Sequence, residues 1–288
     1  MKIMFSGKSE KKSRPKFKIS WIFAFFLAII WVVVTGLPFI YMVMNSFKGQ
    51  FEMLQKGVFQ LPDSWYPENY IEVLSKGFLR YFMNSVILLV VSLALLLFIT
   101  ACASYPLSRM QFKTRNFIFG LIIACMSIPI HVTLIPVFKM TTSLNMYDKL
   151  WGLIGPNVAF SIPISCYILT TFMATIPKEV EESAEIDGCG KFRNFFYVIL
   201  PLSKAGISTL AIYNGVSIWN EFIFANTLTQ SKAAKTLPLA ISAFQGEHSM
   251  NIPVIMAVLV LTVLPMIILF IILQDKLVKG LMAGAVKG

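Results

Sequence analysis

Apolar residues in this chain are gathered into long runs separated by short polar stretches, instead of recurring at every third or fourth position. Six runs stand out, over 21–44, 82–107, 117–138, 151–175, 205–228 and 252–273. About 20 mostly apolar residues suffice to cross the hydrocarbon core of a bilayer as a helix, so each run predicts one crossing. The fourth and fifth carry more polar residues: Asn157, Ser161, Ser165, Asn214, Asn220 and Glu221. Buried helices of a water-soluble core are the competing reading for those two, but their length and the charges flanking them favour crossing. The predicted fold class is all-α, a polytopic membrane helical bundle with six transmembrane helices.

Charge sets the expected orientation, because cytoplasmic connections carry an excess of Lys and Arg. Seven of them lie in the first 20 residues: Lys2, Lys8, Lys11, Lys12, Arg14, Lys16 and Lys18. With the N-terminus inside, the inner segments 1–20, 108–116, 176–204 and 274–288 hold 17 Lys and Arg. The outer segments 45–81, 139–150 and 229–251 hold 8. Both termini are therefore expected in the cytoplasm, which an even number of spans requires. Run 21–44 is longer than the apolar core of a cleaved signal peptide, about 7–15 residues, and no A-x-A site follows it. It reads as a retained first span in a bacterial cytoplasmic membrane.

The expected domains follow. Residues 1–20 form a cytoplasmic basic arm, suited to anionic lipid headgroups. Residues 21–44 are the first span and 45–81 an extracytoplasmic segment of short helices. Residues 82–273 form a five-helix unit interrupted by the cytoplasmic loop 176–204, and 274–288 a cytoplasmic tail. Only 14% of residues are charged and 57% are hydrophobic, against about 25% charged in soluble proteins. The net charge of +11 is scattered between apolar runs, without the basic patch and interleaved aromatics of a nucleic-acid surface, so no nucleic acid is expected as partner. Cys102, Cys125, Cys166 and Cys189 lack the paired spacing of a zinc or redox site, and with only His131 and His248 no metal site is expected. The three cysteines within runs read as packing residues. Prolines 38, 129, 136, 163 and 265 within or at the ends of runs predict kinks, which membrane helices tolerate.

Glu221, within Ile218-Trp219-Asn220-Glu221-Phe222, is a carboxylate inside the fifth run. Such a group faces the protein interior or a water-filled cavity; a buried structural hydrogen bond is the alternative. Together with Asn84, Asn157, Asn214 and Asn220 it is a candidate for a translocation path. No second intramembrane acid or base accompanies it, which counts against a proton-driven mechanism.

The connection between the fourth and fifth runs reads as helix, turn, helix. Pro177 opens it and Glu179, Glu181 and Glu182 occupy first turns, where the helix dipole favours negative charge. Gly188 and Gly190 close it, and Phe192, Phe195, Phe196 and Ile199 then repeat at helical spacing on one apolar face. Pro201 marks the bend into the fifth run. An acidic helix ending in a glycine turn, with Ser183 and Ala184 small enough for close approach, suits a docking knob; a solvated connector is the plain alternative.

Glu182-Ser-Ala-Glu-Ile-Asp187-Gly188, with Leu200-Pro201 following, resembles the E-A-A…D-G…L-P loop of bacterial ABC importer permeases. Ser183 and Cys189 depart from the usual alanines, and both are small. The resemblance extends to the six-span layout, Asn84-Ser85 and Trp219-Asn220-Glu221-Phe222. The ending Leu277-Val-Lys-Gly-Leu-Met-Ala-Gly-Ala-Val-Lys-Gly288 resembles the carbohydrate-uptake branch, similar to the maltose-system permease MalG. What the resemblance implies is a permease subunit of an ATP-driven importer, with a sugar or oligosaccharide as solute. It further implies Glu182, Ala184, Asp187 and Gly188 at the ATPase-docking face, and a C-terminal tail that reaches the ATP-binding subunits. The implied assembly is this chain, a second homologous permease, two ATP-binding subunits and an extracytoplasmic solute-binding protein.

The chain lacks G-x-x-x-x-G-K-[ST], so it is expected to bind no cofactor itself; ATP and Mg belong on the partner ATPase, and the chain is a transporter subunit, not an enzyme. An ABC permease for a non-sugar solute, or a stand-alone secondary transporter, are the alternatives. The latter needs repeated halves and midplane coupling-ion residues. An intramembrane enzyme needs a nucleophile and base, or metal ligands, on facing helices, and His131 stands alone.

Overall fold

The computed structural model describes residues 19–247 and 251–285; residues 1–18 of the expected basic arm, His248 and the last three residues of the tail lie outside the described residues. Every regular element among the described residues is helical. The apolar run at the N-terminus forms α1 (Ile19–Ser46). Two short helices, α2 (Gln50–Lys56) and α3 (Glu68–Ser75), occupy the following segment. α3 is tied to the end of α1 by Asn69, whose side-chain amide donates to the carbonyls of Ser46 (2.8 Å) and Lys48 (2.9 Å). Lys48 is fully buried and donates to the Gly57 carbonyl at 3.0 Å, and burial pushes its pKa down.

α4 (Phe78–Arg109) has 32 residues and is about 48 Å long at 1.5 Å per residue. It is the spine of the molecule. α5 (Arg115–Ala124), a short 3₁₀ turn and α6 (Ile130–Ser143) follow. Next come a 3₁₀ turn, Leu150–Leu153, and α7 (Ile154–Ala174). α8 (Lys178–Ile186), α9 (Lys191–Asn194), a π turn (Phe195–Ile199) and α10 (Leu200–Leu202) form the 176–204 segment. α11 (Lys204–Trp219), α12 (Ile223–Leu228), α13 (Leu237–Glu247) and α14 (Ile252–Ala285) complete the chain.

Among the described residues, four helices are long and apolar enough to cross a membrane, and six crossings result if each of two bent pairs counts as one. The bends correct the simple picture of six straight runs. The third run is broken by 99° between Arg115–Ser127 and Ile130–Ser143. Pro129 is the cause: it offers no N–H and holds the residue before it out of the helical region, and Ile128 is extended at ψ 113°. The fifth run begins in Lys191–Leu202, turns by 69°, continues as Lys204–Trp219 and stops there, nine residues short of the expected end at 228.

The core is strung along α4 in three clusters. Near its start, Phe78 and Tyr81 meet Trp219, Leu237, Phe244 and Val258. Further along, Leu88 meets Leu153, Ile218 and Phe224. At its last turns Ala101 and Tyr105 meet Leu169, Met173, Phe195, Ile199 and Leu210. α1 packs along α14, but none of residues 21–44 is buried within the chain. Of the three cysteines expected to pack, only Cys166 is buried; Cys102 and Cys125 are exposed, because α4 and α5 turn those faces outward.

Candidate functional site

The 176–204 segment folds as helix, turn, helix. Pro177 is the N-cap of α8, with Glu179 and Glu181 in the first turn. The end of α8 is a Schellman motif. Gly188 N–H donates to the Glu185 carbonyl (3.0 Å) and Cys189 N–H to the Ala184 carbonyl (2.9 Å), closing the last open carbonyls. Gly188 has φ +81°, a left-handed conformation that costs an L-residue roughly 1–2 kcal/mol. Glu182, Asp187 and Gly188 are exposed and Ala184 is half-buried, so the four residues share this short helix and its cap. Ile186 beside them is 86% exposed. An isoleucine with no partner in its own chain is a signal the motif alone did not single out.

The base of this segment is held by the last turns of α4. Arg109, 4% exposed, brings its Nε to 3.3 Å from Glu181 Oε2, 15% exposed, an ion pair without hydrogen-bond alignment. Its Nη2 donates to the Ile176 carbonyl at 2.7 Å, at the C-terminal end of α7 where a cation is favoured. Tyr105 reaches the Lys191 carbonyl with its hydroxyl at 3.5 Å and packs its ring 5.0 Å from that of Phe195. A polar cleft of about 510 Å³ lies between, bordered by Arg109, Gln111, Lys178, Glu181, Glu182 and Glu185.

The apolar face expected over 192–199 divides in two. Phe195 and Ile199 are buried against α4 and α7, worth about 2 kcal/mol each relative to water, whereas Phe192 is 83% exposed and Phe196 also faces outward. The π turn over Phe195–Ile199 accounts for the split. Pro201 lacks the N–H that would close an α-turn on the Tyr197 carbonyl, and its ring crowds that carbonyl. The extra residue per turn changes which side chains face the bundle.

The five polar candidates of the runs are not brought together. Asn84, buried in α4, donates to the carbonyls of Ala233 (2.9 Å) and Lys235 (2.8 Å). Ser85 beside it accepts Leu237 N–H at 2.8 Å. Asn157 bonds back to the Leu153 carbonyl (2.8 Å). Asn214 joins α11 to α7 by donating to Ser165 Oγ at 2.9 Å. Asn220 is exposed and borders a largely apolar groove of about 430 Å³ between α11 and α14, with Val216, Trp219, Met266 and Phe270. Glu221 lies beyond the end of α11 rather than inside a span. Its carboxylate accepts the N–H groups of Phe224 (2.6 Å) and Ala225 (3.1 Å), capping the first turn of α12.

At the end of the bundle where α4 begins, Asp148 adds a contact that sequence reasoning missed. It is left-handed at φ 55°, a region Asp enters more readily than most residues. Its Oδ1 accepts Gln230 N–H (2.7 Å), Ser231 N–H (2.8 Å) and the Ser231 hydroxyl (3.1 Å). Burial pushes the carboxyl pKa up, but these hydrogen bonds and the charge of Lys235 outweigh it and hold it below 3.8. A lone Asp between two runs carries no pattern that would announce this role.

A family model described as "Binding-protein-dependent transport system inner membrane component" matches residues 97–282. A permease protein, ORF2, assigned to an ABC transporter of Caldicellulosiruptor sp. (strain Rt8B.4) is 47% identical over 93% of this chain and 97% of its own length. The sulfoquinovosyl glycerol transport system permease protein SmoH of Agrobacterium fabrum (strain C58 / ATCC 33970) is 35% identical over 91% of this chain and 93% of its own. Among solved structures, a chain of a bacterial ABC transporter involved in the import of the acidic polysaccharide alginate superposes with a TM-score of 0.78. It shares 23% identity and is covered over 91% of this chain and 99% of that one, a likeness of fold.

Proposed function

This chain belongs to the family of binding-protein-dependent transport system inner membrane components, the multi-pass permeases of ABC transporters in the bacterial cytoplasmic membrane, and on that premise we propose that it is a permease subunit of an importer for a sugar or oligosaccharide. Relatives named for sulfoquinovosyl glycerol, for diacetylchitobiose and for melibiose, raffinose and stachyose support that solute class. In this reading both termini and the 176–204 loop face the cytoplasm, and α8 docks on an ATP-binding subunit that holds ATP and Mg. A second permease, a second ATP-binding subunit and an extracytoplasmic solute-binding protein complete the assembly.

The observation that carries the docking role is the contrast within α8. Its base is anchored to α4, while Glu182, Ile186, Asp187 and the Gly188 cap stand free. A rigid base transmits force, and the exposed acidic tip around Ile186 is open to a partner. Asn220 borders an open groove and is the better candidate for the path, whereas Glu221 is engaged as the cap of α12. Asn84, Asn157 and Asn214 would meet a solute only after their present bonds open.

Two experiments test this. The affinity-tagged chain should bring down an ATPase from its native membrane, and Gly188→Trp or Ile186→Asp should lose it; retention by both variants defeats the docking assignment. Uptake of labelled mono- and oligosaccharides by cells with and without the chain should then lose one saccharide. Unchanged uptake across the panel moves the solute outside the sugars tested.

A further inference from the structure

We infer that Arg109 is a positioning residue that passes movement of α8 into α4, and that α4 delivers it as one rod to the 229–236 loop at the opposite end of the bundle. The inference rests on the docking role of α8 proposed above.

Arg109 does not behave as an ordinary topology-setting charge, which would be solvated. It is 4% exposed and grips both sides of the joint between α7 and α8, at the Ile176 carbonyl and at Glu181. Four residues earlier on the same helix, Tyr105 holds the start of α9 and of the π turn through the Lys191 carbonyl and the Phe195 ring. The last turns of α4 thus hold the first turns of α8 and the chain just beyond its cap, so tilting α8 pulls on α4. A helix is stiff along its axis, and coupling between distant sites travels through rigid elements with defined contacts at each end. The defined contacts at the other end are Asn84, on the carbonyls of Ala233 and Lys235, and Ser85, on Leu237 N–H. α4 therefore links one loop to the other directly, by a route that bypasses the bends at Pro129 and Ser203.

The test uses the assembly purified with its ATPase, the exposed cysteines Cys102 and Cys125 and the half-buried Cys189 replaced by serine, and Ala233→Cys as reporter. Ala233 is exposed and holds Asn84 through its carbonyl, so the substitution leaves that bond in place. The rate of maleimide labelling is read with and without MgATP plus vanadate. Trapping should change it by about tenfold, within the range for residues that carry coupling. Arg109→Gln, or Glu181→Gln where the first variant does not accumulate, should abolish the change while the ATPase still co-purifies. Exchanging the charges, Arg109→Glu with Glu181→Arg, should restore part of it. A full nucleotide response in both single variants overturns the inference, as does an unmodified Arg109 assembly whose reporter ignores nucleotide; in either case a co-purifying ATPase leaves the docking role intact. If no ATPase accompanies the unmodified chain, docking itself is wrong and the inference falls with it.

Discussion

At its first turns α4 holds the neighbouring loop with neutral groups, the amide of Asn84 and the hydroxyl of Ser85, on backbone atoms spread over Ala233, Lys235 and Leu237. At its last turns it holds the 176–204 segment with the guanidinium of Arg109 and the hydroxyl and ring of Tyr105, on Ile176, Glu181, Lys191 and Phe195. The first clamp ties two short side chains to the loop backbone and leaves the loop little freedom. The charged part of the second works through one long side chain, Arg109, whose two contacts lie on either side of a joint. Neutral clamps define a shape, whereas a buried charge makes its element depend on a single partner, because either ion left alone is expensive.

The contrast can be broken at each end. Arg109→Ala should have the largest effect, loosening the 176–204 segment by about 3 kcal/mol, since Glu181 is left nearly buried without its counter-ion. Limited proteolysis near α8 should speed up while cleavage in 229–236 does not. Asn84→Ala should do the reverse, with two carbonyls losing their donor at about 2 kcal/mol, read as faster amide exchange over 233–237 alone. Gly188→Ala should cost about 1 kcal/mol, since there is open space around a new Cβ but φ is +81°. It should fray the end of α8 without altering the contacts of Arg109. The smallest effect is that of acid on Asp148. Its carboxyl titrates lower in the fold than the ordinary 3.8, so its stabilisation is complete above that value and fades as pH falls through the folded pKa. Exchange at Gln230 and Ser231 should quicken only below about pH 3.8, and Asp148→Asn should remove that dependence.

The all-α membrane fold was legible because continuous apolar runs have few other uses. The 176–204 segment was legible too, down to its glycine cap, since Pro177, the glutamates and Gly188 each have a local reason for their positions. What could not be read depends on contacts between residues far apart in the chain. Arg109 looks like any basic residue closing a span, and its burial follows only from where α8 returns. Pro129 announced a kink but not a 99° break. Glu221 was placed inside a span because hydropathy averages across the short gap after Trp219. Its role as a cap on α12 is visible only from two backbone N–H groups aimed at it.

The π turn at Phe195–Ile199 also sets a phase. It stores one residue more than an α-helical path between α9 and α10 requires, and each residue of an α-helix advances the chain by about 100°. Removing one residue there would leave the other spans and the topology intact while rotating α9, the Gly188 cap and the outward face of α8 relative to the bundle. A one-residue deletion in this turn is thus equivalent to re-aiming the exposed tip, and the length of this stretch is constrained more tightly than the identity of its exposed side chains.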